Sequence, residues 1–354
     1  MSRAHQVTRR GIQLALGGLW LLDGLLQLQP RMFTTDFANS VILPAAQGQP
    51  SFISGPMHFF ASIFLLNPML SNLGIAVIQI GLGILILWRH TARIGLILSV
   101  IWGLFVWYVG EGLSGLASGH AMMLTGSPGA ALIYALIALG VLGTQIPKEK
   151  IPDDTSMSDR RPSYWLIIVW ILIWVVGAIY QVMPGQNTIA DVSSMISLNA
   201  SSAPTWLASV DTATINYLSN FGTTNSPSDS MAGMPGTDMT TFQPTTVYRP
   251  ASRALSGFWI LFMISLLQIL LAFAVIIPGW VRLLAVILGS LLSLGFWIVG
   301  QSLGGYYTGT ATDPNTGPLL ILLGIAVLGC TQKDSKIKAF FARISARPIR
   351  EMRT

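Results

Sequence analysis

Asp23 and Gln27 stand four residues apart in the apolar run GIQLALGGLWLLDGLLQL (11–28). At about 1.5 Å per residue, a helix of this length crosses a bilayer. The spacing puts both side chains on one helical face, and Trp20 extends that face by a turn. An ionised carboxylate deep in lipid costs several kcal/mol, so Asp23 must face the bundle interior or a wet cavity. There it is either a hydrogen-bonded tie between helices or a proton site. Glu111 closes the third apolar span on the same side, His58 opens the second, and His120 lies in the loop beyond. These four ionisable groups are expected to converge on one outer mouth. Asp23 and Glu111 are the candidate catalytic pair, for proton handling.

Trp102, Trp107 and Tyr108 are candidate walls of a quinone site, although aromatic belts at a membrane interface account for them equally well. Gln27, Gln79, Gln181 and Gln268 read first as interhelical hydrogen-bonding glue. Met231, Met234 and Met239 in MAGMPGTDM have a thioether spacing suited to a soft metal, with His58 and His120 as further candidate ligands. No P-loop, HExxH, GxSxG or CxxC occurs, and the single cysteine, Cys330, excludes an intrachain disulfide.

The elements that must position these groups follow from composition. Apolar residues make up 52% of the 354, only 10% are charged, and mean hydropathy is +0.62. Soluble domains carry roughly a quarter charged residues. The chain therefore reads as an all-α polytopic membrane protein. Apolar runs near 11–29, 70–88, 94–110, 129–145, 164–183, 255–277, 281–300 and 317–331 predict about eight transmembrane helices. The stretch 56–70 is either an interfacial helix or an extension of the second span broken at Pro68. TRRGIQLALGG resembles a twin-arginine signal, but LQPRMF offers no small-residue cleavage site, so a retained first helix is expected. Pro30 lacks a backbone N–H and biases Gln29 away from helical geometry, so that helix is predicted to end there.

Of the 20 Lys and Arg, 17 fall in the N-terminal tail, alternate short connections and the C-terminal tail. Only Arg31, Arg249 and Arg253 fall in the other loops. This positive-inside asymmetry puts both termini in the cytoplasm, and it excludes a nucleic-acid reading of the pI near 9.7.

The halves repeat. GGLWLLDGLLQLQP lies over ILIWVVGAIYQVMP without a gap, pairing Trp20 with Trp174, Gln27 with Gln181 and Pro30 with Pro184. Pro50 then meets Pro204, Gln79 meets Gln268, Arg93 meets Arg282 and Glu111 meets Gln301. Gly177 stands opposite Asp23, so any chemistry of this cluster belongs to the first half. Two fused four-helix bundles in parallel orientation are predicted. Residues 1–150 form the first unit, 151–162 a cytoplasmic linker, and 163–331 the second unit. A polar outer-loop insertion is expected near 210–252, and a basic cytoplasmic tail at 332–354.

Arg10 ahead of G-x-x-W-L-L-D-G-L-L-Q-L, the following F…FA…QGQP, and GLGILILWRHTARIGLILS together resemble the DoxX family. That family includes the DoxD-type membrane subunit of thiosulfate:quinone oxidoreductase. The resemblance covers residues 9–145, and 160–331 through the internal repeat. It implies a four-helix unit, a bacterial or archaeal plasma membrane, a quinone as cofactor, and other membrane or outer-face redox subunits as partners. Three functions stay open: a quinone-linked redox subunit, a non-catalytic assembly subunit of a larger membrane complex, and a carrier or copper-handling protein.

Overall fold

The computed structural model describes residues 3–119, 121–143, 161–184, 186–200, 203–221 and 251–331. Among the described residues all regular structure is helical, and the α-helices number twelve. They are α1 (Arg3–Leu26), α2 (Leu43–Ala46), α3 (Ser51–Leu66), α4 (Pro68–Leu87), α5 (Ala92–Val109) and α6 (Ala130–Gly143). After these come α7 (Arg161–Gln181), α8 (Ile189–Ala200), α9 (Thr205–Ser219), α10 (Ala251–Ala274), α11 (Trp280–Val299) and α12 (Thr316–Thr331). Among the described residues, Pro68–Leu87, Ala92–Val109, Gly257–Ala274 and Trp280–Val299 are each long and apolar enough to cross a bilayer. With their lipid-compatible outer faces, the chain is a helical membrane protein.

The bundle is organised around α6 and α12. Both are apolar all round, and α6 buries most of its length, as a central helix must. α1 packs on α4, α6 and α12; α5 packs on α6. On the other side α7 packs on α10, α6 and α12, and α11 packs on α12. The α1–α4 approach is close because it is lined with glycine. A Cβ added at Gly24 would lie 2.5 Å from Ile80 Cγ1 and 2.9 Å from the Ile80 backbone nitrogen. Gly24→Ala is therefore expected to lower stability by about 1–3 kcal/mol through overpacking. Gly18→Ala, which meets nothing within 4 Å, is expected to be neutral or slightly stabilising. Apparent melting temperatures of the two variants in one detergent check this.

Several expectations shift. α1 ends at Leu26 rather than at Pro30, because Leu28 and Gln29 make i→i−3 bonds to Leu25 and Leu26. Asn72 of α4 also takes the Gln27 carbonyl at 2.7 Å, which removes an acceptor from any further helical turn. Gln29 is extended at φ −65°, ψ 140°, and Pro30 starts a short 3-10 turn. The stretch 56–70 divides at Asn67, whose side chain accepts the Leu70 N–H and so starts α4. Within the stretch 210–252, residues 210–219 belong to the helix Thr205–Ser219, which turns Leu207 and Asp211 inward. Arg93 is exposed while Arg282 is buried, donating to the Val275 carbonyl at 2.7 Å, so this aligned pair differs in environment. The linker 151–160, the stretch 222–250 and the tail 332–354 lie outside the described residues.

Candidate functional site

α1 buries Leu16, Trp20, Asp23 and Gln27 along one face, the 3.6-residue period of its sequence made three-dimensional. α4, α5 and α6 bring Gln79, Trp102 and Tyr134 towards it, and Glu111, Thr312 and Asp313 close one side. Together they enclose a cavity of about 80 Å³, room for several waters. Trp20, Phe37, Phe60, Trp102, Phe105 and Tyr134 make its wall largely aromatic.

Trp20 is fixed in place. Its Nε1 donates to Ser99 Oγ at 2.8 Å, and its ring packs on Tyr134 with centroids 4.5 Å apart. Other polar groups of the wall are not committed. Asp23 Oδ1, Gln27 Oε1, Gln79 Oε1, Trp102 Nε1 and Tyr134 OH are buried with no hydrogen-bond partner. The Tyr134 hydroxyl neighbours the Asp23 carboxyl but does not reach good hydrogen-bond geometry with it. Each unpaired buried group costs about 1–3 kcal/mol; other such atoms occur elsewhere among the described residues, and these five line one cavity. A guest offering hydrogen-bond donors and acceptors would satisfy them.

Glu111 is positioned by an unusual turn. After α5 ends, Gly112, Leu113, Ser114 and Gly115 all take left-handed conformations, with φ of 55°, 53°, 51° and 78°. This reversal aims Glu111 at the start of α6. Its Oε1 accepts the Ala131 N–H at 3.0 Å, and its Oε2 accepts the Ser114 hydroxyl at 3.1 Å. The side chain therefore caps α6, which by itself would favour the ionised form. Burial wins, reinforced by the charge of Asp313, and pushes the carboxyl up to about 8. Asp313 is likewise raised by burial, against the Thr312 hydroxyl and the Asn315 N–H that it accepts at 2.6 and 2.7 Å. Two such carboxyls in one enclosure favour keeping a proton between them at neutral pH.

Residues 297–317 make some of the same local contacts. Ser302, Leu303, Gly304 and Gly305 are also left-handed, with φ of 47°, 54°, 72° and 66°. Gln301 Oε1 accepts the Gly317 N–H at 3.0 Å, capping α12 as Glu111 caps α6. Trp107 Nε1 donates to the Pro128 carbonyl and Trp297 Nε1 to the Pro314 carbonyl, each at 2.7 Å. At Gly177, opposite Asp23 in the repeat, the space is taken: a Cβ there would lie 2.0 Å from Met123 Sδ. Gln301 Nε2 holds that thioether's loop by donating to the Met123 carbonyl at 3.1 Å. About 10 Å³ remains beside Gly177 and Tyr180. Each half thus lends a loop to the other. Thr312 and Asp313 complete the open cavity, and Met123 closes its counterpart.

Of the residues singled out from sequence, Asp23, Glu111 and Trp102 meet in the cavity. Trp107 is committed to Pro128, and the Tyr108 hydroxyl donates to the Phe52 carbonyl of α3; neither lines the cavity. His58 does not join either. α3 buries Ile53, Met57, Ala61 and Phe64, which leaves His58 exposed on another face, so the expected four-group mouth contains two of its members. His120, Met231, Met234 and Met239 lie outside the described residues. Among the described residues no group of three His, Cys, Asp or Glu is arranged to hold a metal ion. Tyr134 and Asp313 were missed. Tyr134 is the lone polar side chain of AALIYALIALGVLG, and that solitude was the available signal. Asp313 belongs to the far half of the chain and reaches Glu111 only through the fold. No family model, curated protein or solved structure matches the chain.

Proposed function

We propose that the chain is an eight-span, duplicated protein of a prokaryotic plasma membrane, DoxX-like, whose first half binds a quinone in the cavity around Asp23. The duplication is supported by the two left-handed turns, the paired caps at Glu111 and Gln301, and the paired Trp107 and Trp297 bonds. Pro50 and Pro204 add to this, preceding α3 and α9 with the same backbone angles to within a degree. Both termini face the cytoplasm in this reading. In a Cys330→Ser background, Asn220→Cys is expected to react with an impermeant maleimide on intact cells, and His90→Cys only after permeabilisation. The opposite pattern refutes the topology.

The observation that carries the function is the convergence of five unpartnered polar atoms inside an aromatic cavity beside a carboxyl pair. A quinone ring is flat, apolar on its faces and hydrogen-bonding at two edges. Trp102 Nε1 and the Tyr134 hydroxyl are donors for its oxygens, and the aromatic walls suit its faces. Reduction of the ring takes up two electrons and two protons. The electrons come from an outer-face redox partner. The protons come through Asp23 and the Glu111–Asp313 pair, which favours keeping a proton between its members.

The test is binding. Protein in nanodiscs is titrated with a decyl-tailed benzoquinone while tryptophan fluorescence is followed. Saturable quenching is expected, and Trp102→Phe is expected to weaken it about fivefold through loss of one donor. Quenching that never saturates sinks the quinone reading. If the native protein then co-purifies with a fixed partner and no cofactor, it is an assembly subunit.

A further inference from the structure

The cavity lining has two kinds of member. Its carboxyl and hydroxyl groups come from α1, α6, Glu111 just after α5 and the 312–313 loop, and α4 and α5 add Gln79 and Trp102. Phe60 of α3, Ile75 of α4, Phe105 of α5 and Phe37, Val41 and Ile42 are its apolar members. Phe105 belongs to two environments at once. It lines the cavity, yet 39% of its surface is open, on an α5 face shared with exposed Ile101 and Leu104. That face belongs to a helix apolar enough to cross a bilayer, so it meets lipid tails. α3 continues the same outer surface through exposed Phe59 and Ile63. Phe60 of α3 packs edge-to-face on Phe105 of α5, with centroids 5.7 Å apart and rings at 81°. This ring contact, beside the Tyr108–Phe52 hydrogen bond, joins the two helices where the cavity lining meets the apolar outer surface.

Resting on the quinone reading above, we infer that the ligand is a long-tailed amphiphile that comes in sideways from the bilayer through the Phe60–Phe105 gap, leaving its apolar tail there and its ring against Asp23. A ring held at Asp23, Trp102 and Tyr134 meets unpaired polar atoms, and a tail laid along Phe60 and Phe105 meets apolar side chains. The reverse arrangement would set hydrocarbon against those polar atoms, which is costlier. An aromatic pair is also a suitable door. Rotating two phenyl side chains breaks no hydrogen bond, and the rings repack against a passing chain.

The experiment uses native protein in nanodiscs and two photoreactive probes. One is a decyl benzoquinone with a diazirine at the tail end; the other is the same ring with a diazirine and no tail. Peptide mapping is expected to find the tail label on Phe60, Phe105 or their immediate neighbours, and the ring label around Trp102 and Tyr134. The tail-less ring is expected to bind at least about tenfold more weakly, since each buried methylene adds to affinity. Tail label on residues 112–116 or 312–313, with the ring still near Trp102, overturns the sideways route while leaving quinone binding in place. Equal affinity of tailed and tail-less rings overturns it too. Absence of saturable labelling by both probes overturns the quinone reading itself. A diazirine phospholipid that labels Phe60 and Phe105 and is not displaced by the tailed quinone shows an ordinary lipid groove, and also overturns the inference.

Discussion

Asp23→Asn is expected to yield a protein that inserts and melts like its parent but loses at least about 100-fold in quinone-dependent turnover, the usual scale for removing a positioned proton donor. The substitution is close to isosteric, and it keeps hydrogen-bonding capacity while removing the titrating proton. Structure favours tolerance: Asp23 Oδ1 already lacks a partner, so no bond is broken that an amide could not also make. At Gly177, which the sequence comparison aligns with Asp23, Met123 fills the space without a carboxyl. The measurement is reduction of a decyl benzoquinone by an artificial donor, alongside apparent melting temperature and quinone affinity. Unchanged affinity with lost turnover assigns Asp23 to proton transfer. Full turnover in the variant removes that role and leaves Asp23 as a tie between helices.

Much of the frame was legible because the bilayer imposes simple rules. Long apolar runs had to be helices, and a polar residue among them had to turn inward, which located Asp23, Gln27, Gln79 and Gln268 inside the protein. The sequence aligned Pro50 with Pro204, and each directly precedes a helix, Ser51–Leu66 and Thr205–Ser219. What could not be read was the exchange of loops. Sequence comparison set Glu111 against Gln301 and Asp23 against Gly177. It could not show that Asp313 joins the lining around Asp23 and Glu111, or that Met123 packs against Gly177. Such contacts are set by packing between residues far apart in the chain, and no local period encodes them. The aromatic assignments divided for a related reason. Trp102, Trp107 and Tyr108 share one stretch of helix, but Trp107 and Tyr108 bond to Pro128 and Phe52 while Trp102 lines the cavity, and only the fold decides which does which.

The pH dependence of stability should change most at Glu111. Its carboxyl sits near 4.5 in an unfolded chain and is pushed up to about 8 in the folded one, chiefly by burial and then by Asp313. The folded state therefore binds the extra proton across that window. Stability is fully present below about pH 4.5, falls as pH rises, and has lost this contribution once pH passes about 8. Allowing for screening by cavity water, the loss is on the order of 3 kcal/mol. Glu111→Gln should abolish most of it. An amide carbonyl can still accept the Ala131 N–H, as Gln301 already does for Gly317 at 3.0 Å, so the α6 cap survives. The expected result is an apparent melting temperature near the parent's at pH 5 and several degrees above it at pH 9. Asp313→Asn should act in the same direction, because removing either charge relieves the other. If Glu111→Gln instead melts lower than the parent at every pH, the carboxylate is needed as a charged cap, and the buried-proton account of the site fails with it.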